Sequence, residues 1–317
     1  MKELSNDLLE ELVTECRPYS REGQVVKDIP GQRTIDQNKL GVCIINMDNE
    51  VFSAGDTDMK FSLQSASKII SLMMALDDFG KEEVFQNVGM EPMGDFYNSI
   101  SHLEAHDVTK PFNPMVNAGA IAVAAMIKGK DVDEKFNRVL KTLRKIMNNN
   151  SIKLNDEVYE SEQLKGDRNR SLAFFMKSTG AIAHDIDETL DLYFRINSID
   201  VHTTDLAKLG VFFANGSRSL KTGEQIIPMD HINTIEAIMM TSGMYNEAGK
   251  YAVDVGFPVK SGVSGCIIGS VPGRYGIGII GPSINEKGNS TAGGALLHRI
   301  SRNLELNVFS VIRKDKE

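Results

Sequence analysis

The hydrophobic pattern is strand-like at both ends of the chain and helical in the middle. Residues 40–47 form an apolar run that is rich in β-branched residues, and a second extended run covers 51–54. Near the other end, the runs 263–271 and 275–280 flank Pro272-Gly273-Arg274, which predicts a hairpin. Strands at both ends predict an antiparallel sheet to which both ends of the chain contribute.

Between these ends, apolar positions recur every three or four residues. The clearest example covers residues 132–147, where Asp131 and Glu134 resemble a capping box. Further helices are predicted over 69–79, 186–196, 204–214, 231–241 and 292–304, with Gly80 and Gly216 as C-terminal stops. The prediction is therefore an α+β fold with one domain over 1–317, in which about 1–63 and 243–317 contain the sheet and about 64–242 is an inserted helical part.

Composition narrows the classes of function. A net charge of -8 without a run of Lys or Arg argues against a nucleic-acid partner. The longest apolar stretch, 118–127, is short of the roughly 20 residues that cross a bilayer, so we expect no membrane partner. Residues 1–7 predict an acidic amphipathic helix rather than a secretory leader. Three scattered cysteines fit free thiols in a reducing compartment, and we expect a cytoplasmic protein.

Ser65-Ala66-Ser67-Lys68 is an S-x-x-K motif directly before an apolar helical run. On a helix this spacing places Ser65 and Lys68 on one face, where the amine could take the hydroxyl proton. The N–H groups at a helix N-terminus would also favour a developing oxyanion. By itself the motif is weak, because a solvated first helical turn fits it equally well.

A second motif, Lys260-Ser261-Gly262, matches the K-[ST]-G pattern and precedes the apolar run that begins at Val263. In serine acyl-transfer enzymes of the penicillin-binding type, S-x-x-K comes early and K-[ST]-G comes late, on an edge strand. A cation at Lys260 would help to keep Lys68 neutral, and a backbone N–H could complete an oxyanion hole. Together the two motifs predict a serine nucleophile.

Two absences limit the chemistry further. No S-x-N or Y-x-N triplet lies between Lys68 and Lys260, which counts against a penicillin-processing enzyme. The six histidines show no metal-ligand spacing with acidic residues or cysteines. The sequence therefore predicts no metal site.

The residues around these motifs resemble the serine-dependent glutaminases of bacteria and animal mitochondria, from about Gly23 to Asn303. The segments that carry the resemblance are LQSASK (63–68), NPMVNAGA (113–120), SE (161–162), GDRN (166–169), GMY (243–245) and PVKSGVSG (258–265). The resemblance implies a serine β-lactamase/transpeptidase-like α/β fold and no cofactor. It also implies hydrolysis of the side-chain amide of L-glutamine to L-glutamate and ammonia, and a homo-oligomer (dimer or tetramer).

The resemblance also implies catalytic roles, one motif at a time. Ser65 would be the nucleophile and would form an acyl-enzyme. Lys68 and Tyr245 would transfer its proton, with Tyr245 a candidate to protonate the departing ammonia, and Lys260 would complete the catalytic set. The backbone N–H groups of Ser65 and Val263 would hold the oxyanion.

Substrate-binding roles follow in the same way. Glutamine carries a cation and an anion at its α-carbon, so a selective pocket must match both charges. Glu162 corresponds to the family residue that faces the α-amino group. The residues that correspond to those holding the amino-acid end are Asn117, Asn169 and Tyr193. Taken singly, each would more often be a solvated, capping or packing residue, and only its place in a matched segment favours binding.

One position departs from the family pattern. Family members typically carry a tyrosine before Ile-Pro that contacts the substrate α-carboxylate, and here Asp28 occupies that point. An ionised aspartate only accepts hydrogen bonds, so we expect weaker substrate binding unless Lys27 or Tyr19 takes over the contact.

Three functions are open at this point. A glutaminase is favoured. The second is a penicillin-type serine peptidase or lactamase, which the missing middle motif disfavours. The third is a non-catalytic glutamine-binding sensor, which Asp28 alone suggests and the intact catalytic residues oppose.

Overall fold

The structure is a computed structural model and describes residues 2–31, 34–105 and 110–310. The α-helices are α1 Asn6–Cys16, α2 Lys68–Asn87, α3 Ser101–Ala105, α4 Asn117–Ala125, α5 Val132–Met147, α6 Asp156–Lys165, α7 Asp167–Ser178, α8 Ile186–Asn197, α9 Thr203–Ala214, α10 Met229–Ser242, α11 Ala248–Asp254 and α12 Thr291–Asn303. The strands are β1 Gln24–Val25, β2 Gly41–Asn46, β3 Val51–Gly55, β4 Phe61–Ser62, β5 Lys153–Leu154, β6 Ile199–Val201, β7 Val259–Ser261, β8 Cys266–Val271, β9 Tyr275–Ile280 and β10 Ser283–Ile284. Short 3-10 helices cover Arg17–Glu22, Gln64–Ser67 and Tyr245–Glu247.

The largest sheet has five antiparallel strands in the order β3-β2-β9-β8-β7. Strands β2 and β3 come from the N-terminal part of the chain and the other three from the C-terminal part. This confirms the prediction of an antiparallel sheet built from both chain ends around an inserted helical region.

Helices cover both faces of this sheet. Val42 and Ile44 of β2 pack in the apolar cluster that includes residues of α1 and α12. Cys43 and Ile45, which point to the opposite face, pack against Ala207 and other residues of α9. Because both faces are covered, β2 is a nearly continuous apolar run rather than an alternating one.

Helix α2 lies at the centre of the helical region and packs against α4 and α10. Its residues from Ile69 to Leu76 are almost completely buried. The helical region also contains a three-stranded sheet with the order β4-β6-β5, which the sequence did not predict because strands of two or three residues carry no measurable periodicity. None of the described helices is long and apolar enough to cross a membrane.

The long predicted helices are confirmed, with boundaries within two residues for α5, α8, α9, α10 and α12. The N-terminal helix is displaced, because it begins at Asn6 rather than covering residues 1–7, of which Met1 lies outside the described residues. The side chain of Ser5 caps it by accepting a hydrogen bond from the Leu8 N–H at 3.2 Å. Gly80 does interrupt α2, with φ +77°, but the chain returns to helix directly afterwards.

The predicted strand 263–271 starts too early. Residues 262–265 form a tight turn in which the Gly265 N–H donates to the Gly262 carbonyl at 2.9 Å, and Gly265 has φ +91°. Strand β8 therefore begins at Cys266, and Lys260 lies within the preceding edge strand β7 rather than in the turn before a strand.

Candidate active site

Ser65 is the second residue of the 3-10 helix Gln64–Ser67, which continues directly into α2. Its side chain is almost buried, and the preceding residue, Gln64, has φ +47°, a conformation that non-glycine residues seldom adopt. The first bond of the short helix runs from the Ala66 N–H to the Leu63 carbonyl at 3.0 Å. The Ser65 N–H precedes that bond and therefore has no acceptor within the helix.

Lys68 is the first residue of α2 and is 1% exposed. Its Nζ donates to Asn117 Oδ1 at 2.7 Å and to the Met115 carbonyl at 3.0 Å. Burial, and then the nearby charge of Lys260, hold the pKa of Lys68 well below its usual range. A lowered pKa favours the neutral amine, which is the form that a general base requires.

Lys260 is completely buried on β7, and its Nζ donates to the carbonyl of the adjacent Ser261. The same Nζ lies 4.4 Å from the centroid of the Tyr245 ring. Burial lowers the pKa of Lys260 to about 7. A group with this pKa changes charge close to neutral pH, so its effect on Lys68 depends on pH.

Tyr245 lies between the two lysines, with its ring centroid 5.7 Å from Lys68 Nζ. It has φ +54°, a conformation that non-glycine residues seldom adopt, and its side chain is buried. Burial raises the pKa of Tyr245, and the Ser65 hydroxyl lowers it. Among the described residues, the buried Tyr245 hydroxyl has no hydrogen bond within the usual distance and angle limits, although the Ser65 hydroxyl is close enough to affect its pKa.

Tyr97 is a site residue that the sequence did not indicate. Its ring stacks on Tyr245 with centroids 4.6 Å apart, and it lies 5.7 Å from Lys68 Nζ. The Tyr97 carbonyl also accepts from the Asn117 N–H at 2.8 Å. It stands in a loop without periodicity, so no sequence pattern could have singled it out.

Two glycines allow close backbone contacts around β7, one with the segment before Ser65 and one with the end of α10. A Cβ at Gly262 would lie 2.6 Å from the Leu63 carbonyl oxygen, and a Cβ at Gly243 would lie 1.8 Å from the Val259 carbonyl oxygen. Val263 follows in the turn after β7, and its backbone N–H donates to no described residue. The glycines of the K-S-G and G-M-Y segments are thus explained by close contact between backbones.

A buried network of hydrogen bonds centred on Asn289 holds β7 in place. Asn289 Oδ1 accepts from Ser261 Oγ at 2.6 Å, and Asn289 Nδ2 donates to Glu247 Oε2 at 2.7 Å and to the Met244 carbonyl at 3.2 Å. The network joins β7 to the 3-10 helix that begins with Tyr245. Asn289 and Glu247 were not predicted, because neither lies within a motif or a segment shared with the family.

Three of the predicted substrate residues, Glu162, Asn169 and Val263, line a cavity of about 220 Å³ that also includes Gln64, the residue before Ser65. Its lining consists of Val26, Asp28, Ile29, Pro30, Gln64, Val158, Ser161, Glu162, Lys165, Gly166, Asn169 and Val263. Asn169 Oδ1 accepts from Asn117 Nδ2 at 2.9 Å, and Asn117 in turn contacts Lys68. These contacts connect the cavity to Lys68.

Glu162 is half-buried in the cavity wall. Burial raises the pKa of Glu162, while a hydrogen bond with the Gln64 side chain lowers it. A bound cation would offset the cost of burying this carboxylate. Glu162 is therefore suited to an ammonium group.

Tyr193 is not among the residues that line this cavity. Its side chain is buried, it interacts with Asn197, and it lies close enough to Glu162 for the carboxylate to raise its pKa, an effect to which burial contributes most. Asn197 Oδ1 also accepts from Ser67 Oγ at 2.6 Å. Tyr193 is thus placed to support the residues around Ser65, and direct substrate contact stays a prediction.

Asp28 does line the cavity, but its carboxylate is largely exposed and pairs with Lys165, with Oδ1 2.7 Å from Nζ. Tyr19, one of the two expected substitutes for the family tyrosine, lines a different cavity beside α11 and α12. Lys165, which no sequence motif indicated, therefore lies beside Asp28 in the cavity lining.

In the described part of the chain, no group of three or more His, Cys, Asp and Glu side chains is placed to hold a metal ion. The site instead combines a serine before a helix with a buried lysine three residues later. A second buried lysine lies on the edge strand of an antiparallel sheet. This arrangement defines a serine hydrolase site on a β-lactamase-like fold.

Comparison with known proteins identifies the family. Residues 23–309 match the glutaminase family. A glutaminase of Clostridium tetani is 48% identical over 301 residues, which cover 95% of this chain and 98% of that protein. The chain belongs to the glutaminase family.

Solved structures agree with this assignment. A Bacillus glutaminase determined in the presence of 4.3 M NaCl is 36% identical with a TM-score of 0.89, over 96% of this chain and 99% of that one. A Bacillus subtilis glutaminase in covalent complex with 5-oxo-L-norleucine, formed by reaction with 6-diazo-5-oxo-L-norleucine, is 34% identical. Its TM-score is 0.86, over 95% of this chain and 99% of that one.

Proposed function

We propose that this glutaminase hydrolyses the side-chain amide of L-glutamine to L-glutamate and ammonia through an acyl-enzyme on Ser65. The observation that carries the proposal is the hydrogen bonding of Lys68. A neutral amine has two N–H groups and one lone pair. Its N–H groups donate to Asn117 and to the Met115 carbonyl at 2.7 and 3.0 Å, so the lone pair is left to accept the Ser65 proton.

In the first step, Ser65 Oγ attacks the side-chain carbonyl carbon and Lys68 accepts the hydroxyl proton. The negative charge that develops on the carbonyl oxygen is stabilised by the backbone N–H groups of Ser65 and Val263. The C–N bond then breaks while the proton held by Lys68 passes, through the Tyr245 hydroxyl, to the amide nitrogen. Ammonia leaves, and a water molecule hydrolyses the ester to release glutamate and restore Ser65.

Glu162 binds the α-ammonium group in this proposal, and Asn169 and Asn117 orient the amino-acid end. The reaction of the Bacillus subtilis relative with 6-diazo-5-oxo-L-norleucine supports a nucleophile in a glutamine-shaped pocket, because that compound carries a diazoketone in place of the amide. Membership of the glutaminase family favours this function over a penicillin-type peptidase and over a binding sensor.

Labelling with 6-diazo-5-oxo-L-norleucine, followed by peptide mass spectrometry, tests the proposal. We expect a stoichiometric adduct on the peptide that contains Ser65, with loss of ammonia release in proportion to labelling. Ser65→Ala should take up no label. A label on another side chain, or unchanged labelling of the alanine variant, would reject Ser65 as the nucleophile.

We further propose that the protein is cytoplasmic and forms a dimer or tetramer. The three described cysteines, Cys16, Cys43 and Cys266, are buried free thiols, which supports a reducing compartment. The oligomer rests on the family resemblance, and light scattering of the purified protein measures it directly. A monomer at all concentrations would contradict it.

A further inference from the structure

We infer that Lys165 binds the α-carboxylate of the substrate, and that Asp28 is an internal competitor that holds this lysine at the pocket mouth until substrate displaces it. The inference rests on the proposed function and adds a specificity residue to it. Both residues line the cavity that contains Glu162, and their charged groups are 2.7 Å apart.

The charges of the cavity wall support this assignment. Its lining includes two carboxylates, Asp28 and Glu162, and one ammonium group, Lys165. An amino-acid substrate brings one cation and one anion. If Glu162 binds the cation, and Asp28 replaces the tyrosine that contacts the anion in the family, a positive partner would restore that contact, and Lys165 is the cationic residue of this lining.

The spacing of the residues on α6 supports it independently. The α-ammonium and α-carboxylate groups of the substrate are bonded to the same carbon atom, so their two partners must lie close together. Glu162 and Lys165 are three residues apart on α6 and therefore occupy neighbouring positions on one helix face, about 5–6 Å apart between Cβ atoms. One helical turn thus presents the opposite charges that a zwitterion needs.

The existing ion pair is easily broken. The Lys165 side chain is 47% exposed and that of Asp28 is 80% exposed, and ion pairs this exposed are weak. Ser161 Oγ donates to the Asp28 carbonyl at 3.2 Å, so the segment stays against α6 when the carboxylate turns away. A substrate carboxylate in the more enclosed cavity can therefore replace Asp28 without unfolding the segment.

The test compares L-glutamine with L-glutaminamide, in which a neutral carboxamide replaces the α-carboxylate. In Lys165→Met, kcat/KM for L-glutamine should fall about tenfold or more, mainly through KM, while that for L-glutaminamide should change little. Lys165→Arg keeps the charge and should retain most of the preference. Asp28→Asn removes the competitor and should lower KM for L-glutamine about two- to fivefold.

Lys145→Met is the matched control, because Lys145 forms a comparably exposed pair with Glu224 at 3.1 Å on a different helix, α5. It should leave both substrates unchanged. Equal losses for the two substrates in Lys165→Met, or no loss for either, would overturn the inference, as would weaker glutamine binding in Asp28→Asn.

A binding measurement separates this inference from the proposed function. Calorimetric titration with L-glutamate and with L-isoglutamine, its α-amide, requires no turnover. Wild-type protein should prefer L-glutamate, and Lys165→Met should lose that preference. A protein that releases no ammonia but shows this pattern would refute the proposed reaction alone, whereas an active protein without the pattern would refute the role of Lys165 alone.

Discussion

The cluster around Ser65, which contains Lys68, Tyr245 and Lys260, and the cavity lined by Glu162 and Lys165 both contain lysines, but in opposite environments. Lys68 and Lys260 are at most 1% exposed, and the pKa of each is lowered chiefly by burial. Lys165 is 47% exposed and paired with a carboxylate. Burial without a counter-ion lowers the pKa of an amine and makes the neutral, basic form easier to reach, whereas an exposed amine beside a carboxylate is suited to binding an anion.

The backbones of the two regions also differ. The cluster includes two non-glycine residues with positive φ, Gln64 at +47° and Tyr245 at +54°, flanked by well-packed elements. The described lining of the pocket consists mainly of side chains from α6 and α7 and of the Asp28 segment. The cluster is thus a buried arrangement set by packing, and the cavity is a partly exposed surface set by charge.

The largest effect is expected for Ser65→Ala. Ammonia release should fall by at least about a thousandfold, because no other group supplies the nucleophile, while the melting temperature should change little. A coupled glutamate dehydrogenase assay measures the loss, and circular dichroism checks the fold. An alanine variant with substantial activity would break the assignment of the cluster as the catalytic region.

Lys68→Met should be nearly as damaging as Ser65→Ala, and the double variant should be no worse than Ser65→Ala alone. Members of one proton-transfer unit act together, so their losses do not add. Methionine fills a volume similar to that of the buried lysine, which keeps the fold. Fully additive losses in kcat/KM would indicate that the two residues act independently.

The pH–rate profile sharpens the contrast between buried and exposed lysines. Burial holds the pKa of Lys68 well below its usual range and lowers that of Lys260 to about 7, so kcat/KM should reach its plateau below the pH range in which an ordinary lysine titrates. As the pH falls through the pKa of Lys68, this amine takes up a proton and kcat/KM should drop by up to about tenfold per pH unit. A rise that continues toward pH 10 would show an ordinary lysine instead.

Glu162→Gln tests the pocket. Loss of the carboxylate should raise KM for L-glutamine about tenfold or more, with a smaller effect on kcat, because the α-ammonium contact exists in both the ground and transition states. The α-hydroxy analogue of glutamine, which lacks the ammonium group, should be affected much less. Equal effects on both substrates would place the α-ammonium group elsewhere.

The smallest effect concerns stability. The folded pKa of Lys260, about 7, is below the value near 10.4 of an unfolded lysine, so the unfolded chain binds more protons between these pH values and wild-type stability rises with pH there. Lys260→Met has no buried amine that must give up a proton on folding, so its stability is not lowered in this way. It should raise the melting temperature by about 2–4 °C for each kcal/mol gained, most at pH 6 and least near pH 10. An unchanged or lower melting temperature at pH 6 would contradict a destabilising buried amine.

Much of the fold followed from local patterns. Runs such as 132–147 show a helical period because one face must be buried, and the strands near both ends are apolar because helices cover both faces of the sheet. Boundaries that depend on tight turns were less accurate. The start of β8 was misplaced because Gly265 makes a left-handed turn that apolar content does not reveal.

The sequence alone identified the chemistry of the site through the order of S-x-x-K and K-S-G and through the segments shared with glutaminases. It could not identify partners that meet only in the folded chain. Asn117 is 49 residues from Lys68, and Asp28 is 137 residues from Lys165. Tyr97 and Asn289 belong to the site for the same reason.

What the sequence determined is therefore the set of reactive groups and the faces that are buried. What only the tertiary structure decided is the state of those groups, because the pKa of a lysine depends on the solvent and charges around it rather than on its neighbours in the chain. Lys68, Lys165 and Lys260 carry the same amine. Their burial and their contacts make two of them candidates for proton transfer and leave the third a cation at the pocket mouth.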